Sequence, residues 1–455
     1  MNEHDSHQSK PLSLALLDGL PTGSLTGAIR AELADTGKLG VVHALGSETF
    51  APCQGCWQCW VAQPGTCKAT DAANTVMHDI IGADAVLWTT KLRFGCWSAV
   101  TKAALDKSIG LVSPFFTTID GETHHRKRYR RYPRWGALAV VDAGTTARER
   151  ELFATLVARN AINIHSEAPW VGFVSEDADE AAVREVVAEG VRALGRPAPA
   201  PSPDLGPYPG RTDAIGVPPV PGRARHVVLW VGSAKPRGQS TSESLGQHLV
   251  AGLERRGWTS EIVHVARMVR LGRDRAPGLV EAFRRADLVI LSTPVYVDSL
   301  PALVLNGLSC LAGADLGERP PALLPIIQCG FPELVHTALA VEISALAADR
   351  IGLGWAGHLA MGAGGMIDGA PLSERASRLP HQIQALDDAA EALDQGRPLS
   401  ASVIEAFSQV SIPPGLYRFL GQIGWVASAY RHGAVMKLWD KPFDEAQPRG
   451  GDSHE

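Results

Sequence analysis

No stretch of the chain approaches 18 uncharged apolar residues, so a membrane-crossing helix is not expected. Basic charge is not in excess either: 43 Lys and Arg stand against 48 Asp and Glu, a formal net charge of −5. Holding nucleic-acid phosphates needs a basic surface, so that class of partner is set aside. The opening residues, MNEHDSHQSK, are polar and contain no apolar signal core, which points to the cytoplasm. No Ser/His/Asp triad and no pair of carboxylates stands out as a hydrolytic centre.

What is there is ordinary globular material, 45% hydrophobic and 20% charged, in a chain of 455 residues that is too long for one core. The boundary between two domains reads from proline. Residues 196–224 contain RPAPAPSPDLGPYPGRTDAIGVPPVPGR, which can form neither a helix nor a central strand and is therefore a linker. Strand and helix patterns alternate on both sides of it. After the linker, strands are expected at HVVLWV, EIVHV, DLVILSTPVY and ALLPIIQCG; before it, at 12–17, 40–44, 84–90 and 135–142. Alternation of this kind builds a parallel sheet covered by helices, here twice. The division expected is a first domain over 11–195, the linker, a second domain over 225–395, and a helical tail over 396–455. The tail is aromatic and amphipathic, with Arg418, Arg431 and Lys437 among its aromatics; it reads as a packed helix, with a membrane-surface helix as the rival.

Between the first strand and helix of the second domain lies GSAKPRGQSTS, residues 232–242. It has neither the lysine pattern of a P-loop nor a G-x-G-x-x-G fingerprint. A helix start rich in Ser and Thr, with two nearby cations, still suits a phosphate. Two later loops, TPVYVDSLP (293–301) and QCGFPE (328–333), follow the third and fourth strands and would converge on the same end of the sheet, where ligands of doubly wound folds bind.

Four of the seven cysteines crowd into CQGCWQCWVAQPGTC: Cys53, Cys56, Cys59 and Cys67. Thiolates at such spacings can hold an iron–sulfur cluster or zinc, act as a thiol or disulfide pair, or be inert. Cys96, Cys310 and Cys329 stand alone, and each reads by default as a small buried hydrophobe.

These motifs resemble the flavodoxin-like NAD(P)H-dependent FMN reductases, including the iron–sulfur flavoproteins. GSAKPRGQSTS, STPVYVDSLPALV and QCGFPE carry the resemblance in the second domain; the cysteine segment, ADAVLWTT and SAVTKAALDK carry it in the first. The resemblance implies an α/β fold of two flavodoxin-like doubly wound parallel-sheet domains in tandem, with the helical tail. It implies FMN in the second domain, its phosphate on Ser233, Lys235, Arg237, Ser240 and Thr241. Pro294, Val295, Tyr296 and Val297 would line the flavin ring, with Cys329, Gly330 and Phe331 on its other side. For the first domain it implies a candidate [4Fe–4S] cluster on Cys53, Cys56, Cys59 and Cys67.

The first domain departs from this pattern. Its opening loop, DGLPTGSLT (18–26), has no Lys or Arg and starts with Asp18, which would repel a phosphate, so flavin is not expected there. The insertion GETHHRKRYRRYPRW (121–135) is basic and reads as a solvated or partner-facing loop. The combined expectation is an oxidoreductase passing electrons between NAD(P)H or a protein donor, FMN and the cluster, with a small-molecule or protein acceptor. An electron carrier without its own substrate and a cofactor-free scaffold are the alternatives, and homo-oligomerisation is left open. The linker permits a face-to-face pseudo-dimer, so residues 53–67 are expected to face the pocket of Ser233, Tyr296 and Gly330.

Overall fold

The computed structural model describes residues 12–202, 213–273, 275–410 and 412–446. MNEHDSHQSK and the middle of the linker lie outside them. The first unit runs β1 (Leu14–Asp18), α1 (Ser24–Asp35), β2 (Leu39–Ala44), α2 (Gln58–Val61), α3 (Ala73–Gly82), β3 (Ala85–Lys91), α4 (Ala99–Leu105), β4 (Val112–Ile119), β5 (Glu122–Lys127), β6 (Arg134–Val141), α5 (Ala147–Asn163), β7 (Trp170–Ser175) and α6 (Glu180–Leu194). The second runs β8 (His226–Val231), α7 (Thr241–Glu254), β9 (Thr259–His264), α8 (Val265–Met268), α9 (Pro277–Arg285), β10 (Leu288–Pro294), α10 (Ala302–Ala312), β11 (Ala322–Gln328), α11 (Val335–Ile351), β12 (Gly354–Trp355), β13 (Leu359–Met361), α12 (Pro380–Asp394) and α13 (Ala401–Ser408). Helix α14 (Pro414–Arg431) follows.

Both sheets are parallel and both have flavodoxin order. The first reads β2-β1-β3-β6-β7. The second reads β9-β8-β10-β11, and its fifth place is shared by two short strands that both pair with β11. Between those two strands Gly357 adopts φ 98°, a conformation that interrupts a strand and favours glycine. Strands β3 and β10 are buried along nearly their whole length, which matches their continuous apolar sequence and their central position. The tandem doubly wound architecture is therefore that of two flavodoxin-like units.

The basic insertion departs from its expected form. Strands β4 and β5 make an antiparallel hairpin whose turn is Asp120-Gly121, at φ 46° and 90°. An Asp-Gly pair between two β-forming runs is a hairpin signal, and it overrides the charge of the flanking residues. His124, Arg128 and Tyr129 are buried rather than solvated, while Arg126 and Lys127 stay exposed. The tail is also divided. Helix α13 packs on α12 and buries Val403 and Phe407 in the second core, whereas residues from 413 onward lie largely on the first unit. Arg128 donates to the carbonyls of Leu438 and Asp440, and Tyr129 stacks on Phe443.

The units meet face to face across α4, α5, α10 and α11. One apolar cluster runs through both, from Trp88 and Trp97 to Trp230 and Leu308. Lys102 Nζ donates to the Tyr296 carbonyl at 2.8 Å, and Asp106 accepts from the N–H of Ala302 at the start of α10. At the centre Arg159, fully buried on α5, pairs with Glu122 and with Asp298 of the second unit, and donates to His336 Nδ1 at 2.9 Å. Burial alone would lift the Asp298 carboxyl; Arg159, His336 and Asn163 overcome this and hold it well below the usual carboxylate range. Asp298→Ala leaves a buried cation short of a partner and should cost about 3–5 kcal/mol. Guanidinium unfolding of the full chain measures this, and a loss under ~1 kcal/mol would show the pair to be dispensable.

Candidate functional site

The cysteine segment leaves β2 and is pinned where it begins and ends. Asp71 accepts from the N–H of Ala51 and is ion-paired to Lys107, and Asn74 exchanges two hydrogen bonds with the backbone of Cys67. Between those anchors the chain turns back through two left-handed residues, Gly55 at φ 61° and Trp57 at φ 60°. A Cβ on Gly55 would fall 2.4 Å from the Tyr296 hydroxyl, so only glycine allows the second unit to approach this closely. The Trp57 backbone is strained for a bulky residue. Its ring is held by stacking on Trp60 at 5.0 Å, and the Trp60 indole N–H donates to the carbonyls of Ile109 and Val112.

Cys53, Cys56, Cys59 and Cys67 line one wall of a cavity of about 220 Å³. Val295, Tyr296, Val297, Cys329, Gly330 and Phe331 from the second unit line the opposite wall. Asp106, Lys107, His125, Asn163, Asp298 and His336 also line it; of these only His125, one of two adjacent histidines in the basic insertion, stood out in the sequence. The signal for His125 was the Asp-Gly hairpin. For Asp298 and His336 no local signal exists, because their partner Arg159 is 139 and 177 residues away. Ser233, Lys235, Arg237, Ser240, Thr241 and Pro294 are not among the lining residues: the first five lie on the β8–α7 turn or at the start of α7, and Pro294 ends β10. The cysteine segment thus faces Tyr296 and Gly330, while Ser233 is set apart.

All four cysteines are free thiols. Burial, then the nearby Asp106 carboxylate, pushes Cys53 up to about 12; burial and the neighbouring thiols push Cys59 further. Cys329 on the facing wall is raised to about 12, chiefly by burial. Thiols raised in this way are poor nucleophiles at neutral pH. Among the described residues no group of three or more His, Cys, Asp or Glu is arranged to hold a metal ion.

The turns that follow the first strand of each unit differ. In the first unit Asp18 is 2% exposed; it accepts from the N–H of Leu20, the Thr89 hydroxyl and, through two nitrogens, Arg30. The turn's donors are thus taken by its own carboxylate, and a cation supplied by α1 neutralises the repulsion expected from the sequence. In the second unit Ser240 caps α7, accepting from the N–H of Glu243 at 3.1 Å. The first-turn N–H groups of Thr241 and Ser242 have no acceptor within the helix. The buried Ser242 hydroxyl also has no partner among the described residues. Two features crowd this turn: Glu243 accepts from the N–H of Gly238, and the Thr241 hydroxyl donates to the Gly364 carbonyl.

The fold and this turn define a flavodoxin-like protein of two units. Residues 226–325 match the family model of NADPH-dependent FMN reductase, so the second unit carries that family's pattern. No curated protein matches the chain. Among solved structures, an NADH:FMN oxidoreductase in its apo form is 20% identical, with 42% of this chain and 99% of that one covered and a TM-score of 0.29. An NAD(P)H:quinone oxidoreductase from Methanothermobacter marburgensis is 20% identical over 38% of this chain and 96% of its own, TM-score 0.29. An azoreductase from Bacillus anthracis is 13% identical over 38% and 99%, TM-score 0.29.

His125 packs between Trp60 and Phe331, and burial drives its pKa down to about 3. The unfolded chain takes up this proton near pH 6.5, so between pH 6.5 and about 3 it binds more protons than the folded chain. Stability therefore falls as pH drops through that window. In His125→Phe, which keeps the ring contacts, the loss between pH 7 and 4.5 should shrink by about 1–2 kcal/mol. Parallel unfolding curves at the two pH values test this; equal losses in parent and variant would refute it.

Proposed function

We propose that the protein is an FMN-dependent oxidoreductase using NAD(P)H, with its flavin in the second unit and the cysteines of the first unit facing it. The observation that carries this reading is the shared cavity, in which four free cysteines stand opposite Tyr296, Gly330 and Phe331. A bound flavin would supply the capacity to accept a hydride from a nicotinamide and to pass electrons on singly or in pairs. Ser240, Thr241 and the first-turn amides of α7 would hold the phosphate against the positive end of the helix. The segments 294–297 and 329–331 would enclose the ring; Asn160 fixes the first of these through the Val297 carbonyl, and Arg159 and Asn163 hold the adjoining Asp298 from across the interface. Phosphate capture at Thr241 requires the Gly364 carbonyl to give up its hydroxyl. Ser240→Asp tests the turn, because Asp caps helices as well as Ser but repels a phosphate. FMN affinity, read by fluorescence quenching, should weaken by at least ~10-fold while the circular dichroism stays unchanged. Unaltered affinity would remove flavin from this turn.

The four cysteines are proposed as ligands of a [4Fe–4S] cluster that exchanges electrons with the flavin. Anaerobically prepared protein should then contain iron and sulfide, and Cys53→Ser, Cys56→Ser, Cys59→Ser and Cys67→Ser should each lower both. Protein that stays iron-free after anaerobic reconstitution rules the cluster out. The contact between Thr241 and Gly364 favours a second reading, a chain that keeps the fold without flavin. The absence of any FMN binding by the parent protein would select it.

A further inference from the structure

Helix α14 has two faces. Inward, Tyr417 donates to the Gly330 carbonyl, Gly421 abuts the Phe116 ring, and Trp425 sets its edge against Trp57 and Trp60. Gly330 and Trp57 line the cavity, so this helix forms part of the outer shell around it. Outward, Leu416, Phe419, Leu420, Ile423, Val426 and Tyr430 recur at spacings of three and four and are 37–78% exposed. Met436 and Trp439 extend the stripe at 84% and 62% exposure. Apolar side chains this large and contiguous are not left in water without an occupant.

The charge around the stripe selects that occupant. Between Glu405 and Asp440 the chain has no carboxylate, although Asp and Glu outnumber Lys and Arg over the whole sequence. Arg431, His432 and Lys437 are exposed beside the stripe, and the hairpin packed on α14 adds exposed Arg126 and Lys127. A second copy of the chain would bring the same cations together with no acid between them. An anionic bilayer supplies both an apolar bed and the opposite charge, and Trp and Tyr favour its interface. No helix among the described residues is long and apolar enough to cross a membrane, so any contact through α14 lies in the surface plane.

We propose that α14 and the segment to Trp439 dock the protein on anionic membrane surfaces, bringing the wall of the inter-unit cavity against the lipid. The full chain should co-sediment with vesicles containing phosphatidylglycerol roughly 30-fold more strongly than with phosphatidylcholine alone, as expected for Arg431 and Lys437 near the surface. Salt should weaken the binding. Phe419→Ser combined with Ile423→Ser should abolish it with no change in melting temperature. Arg431→Glu with Lys437→Glu, both at exposed sites, gives an independent variant that should remove the preference for anionic lipid. The proposal is overturned if the folded chain does not favour anionic vesicles, or if the variants sediment as the parent does. It is equally overturned if light scattering finds a parent dimer that the Phe419→Ser, Ile423→Ser variant dissolves.

Discussion

The buried pairing of Arg159 with Asp298 is the contact on which the arrangement of the two units rests. Val297 and Asp298 sit at φ 48° and 57°, a left-handed pair that a β-branched residue adopts only under constraint. The constraint comes from one stretch of α5: Arg159 holds the Asp298 carboxylate, Asn160 the Val297 carbonyl, and Asn163 the other carboxylate oxygen. Neither charge is tolerable alone in the interior, so the docked first unit holds the second unit's loop in this shape. Bridges nearer the rim, Arg350 to Asp142 and Arg148 to Glu342, involve arginines over a third exposed and contribute less.

This dependence makes the pair of units an asymmetric device. The first contributes the cysteine segment and the hairpin, and the turn after β1 is filled by Asp18 and Arg30. The second contributes the Ser240-capped start of α7 and the loops opposite the cysteines. A symmetric dimer of one such domain would duplicate every feature; a single chain lets each half drop what the other supplies. The tail ties the halves together, since Tyr417 reaches Gly330 of the second unit while Arg128 and Gly65 of the first hold residues 438–442.

The cavity's electrostatics follow from the same burial. The desolvated thiols of Cys53 and Cys59 and the buried His125 share the cavity with Asp106, Lys107 and the ion network around Asp298. An isolated ion placed there without a partner would be costly.

The fold was legible in the sequence because its signals are local. Apolar runs such as LVILSTP and ALLPIIQ announce buried strands, the proline-rich stretch separates two units, and the clustered cysteines mark a distinct loop. Where two local signals competed the charge was misleading: Arg and Lys at 126–131 concealed a hairpin that Asp120-Gly121 already specified. The cavity itself lay beyond such reading. It exists because Gly55 admits Tyr296, because α5 seizes a loop some 140 residues away, and because α14 closes over Trp57 and Trp60. Periodicity and motif spacing report on neighbours along the chain and so determined the two flavodoxin-like units. Which faces meet depends on buried charge balance and shape between distant segments, and only the tertiary structure decided that.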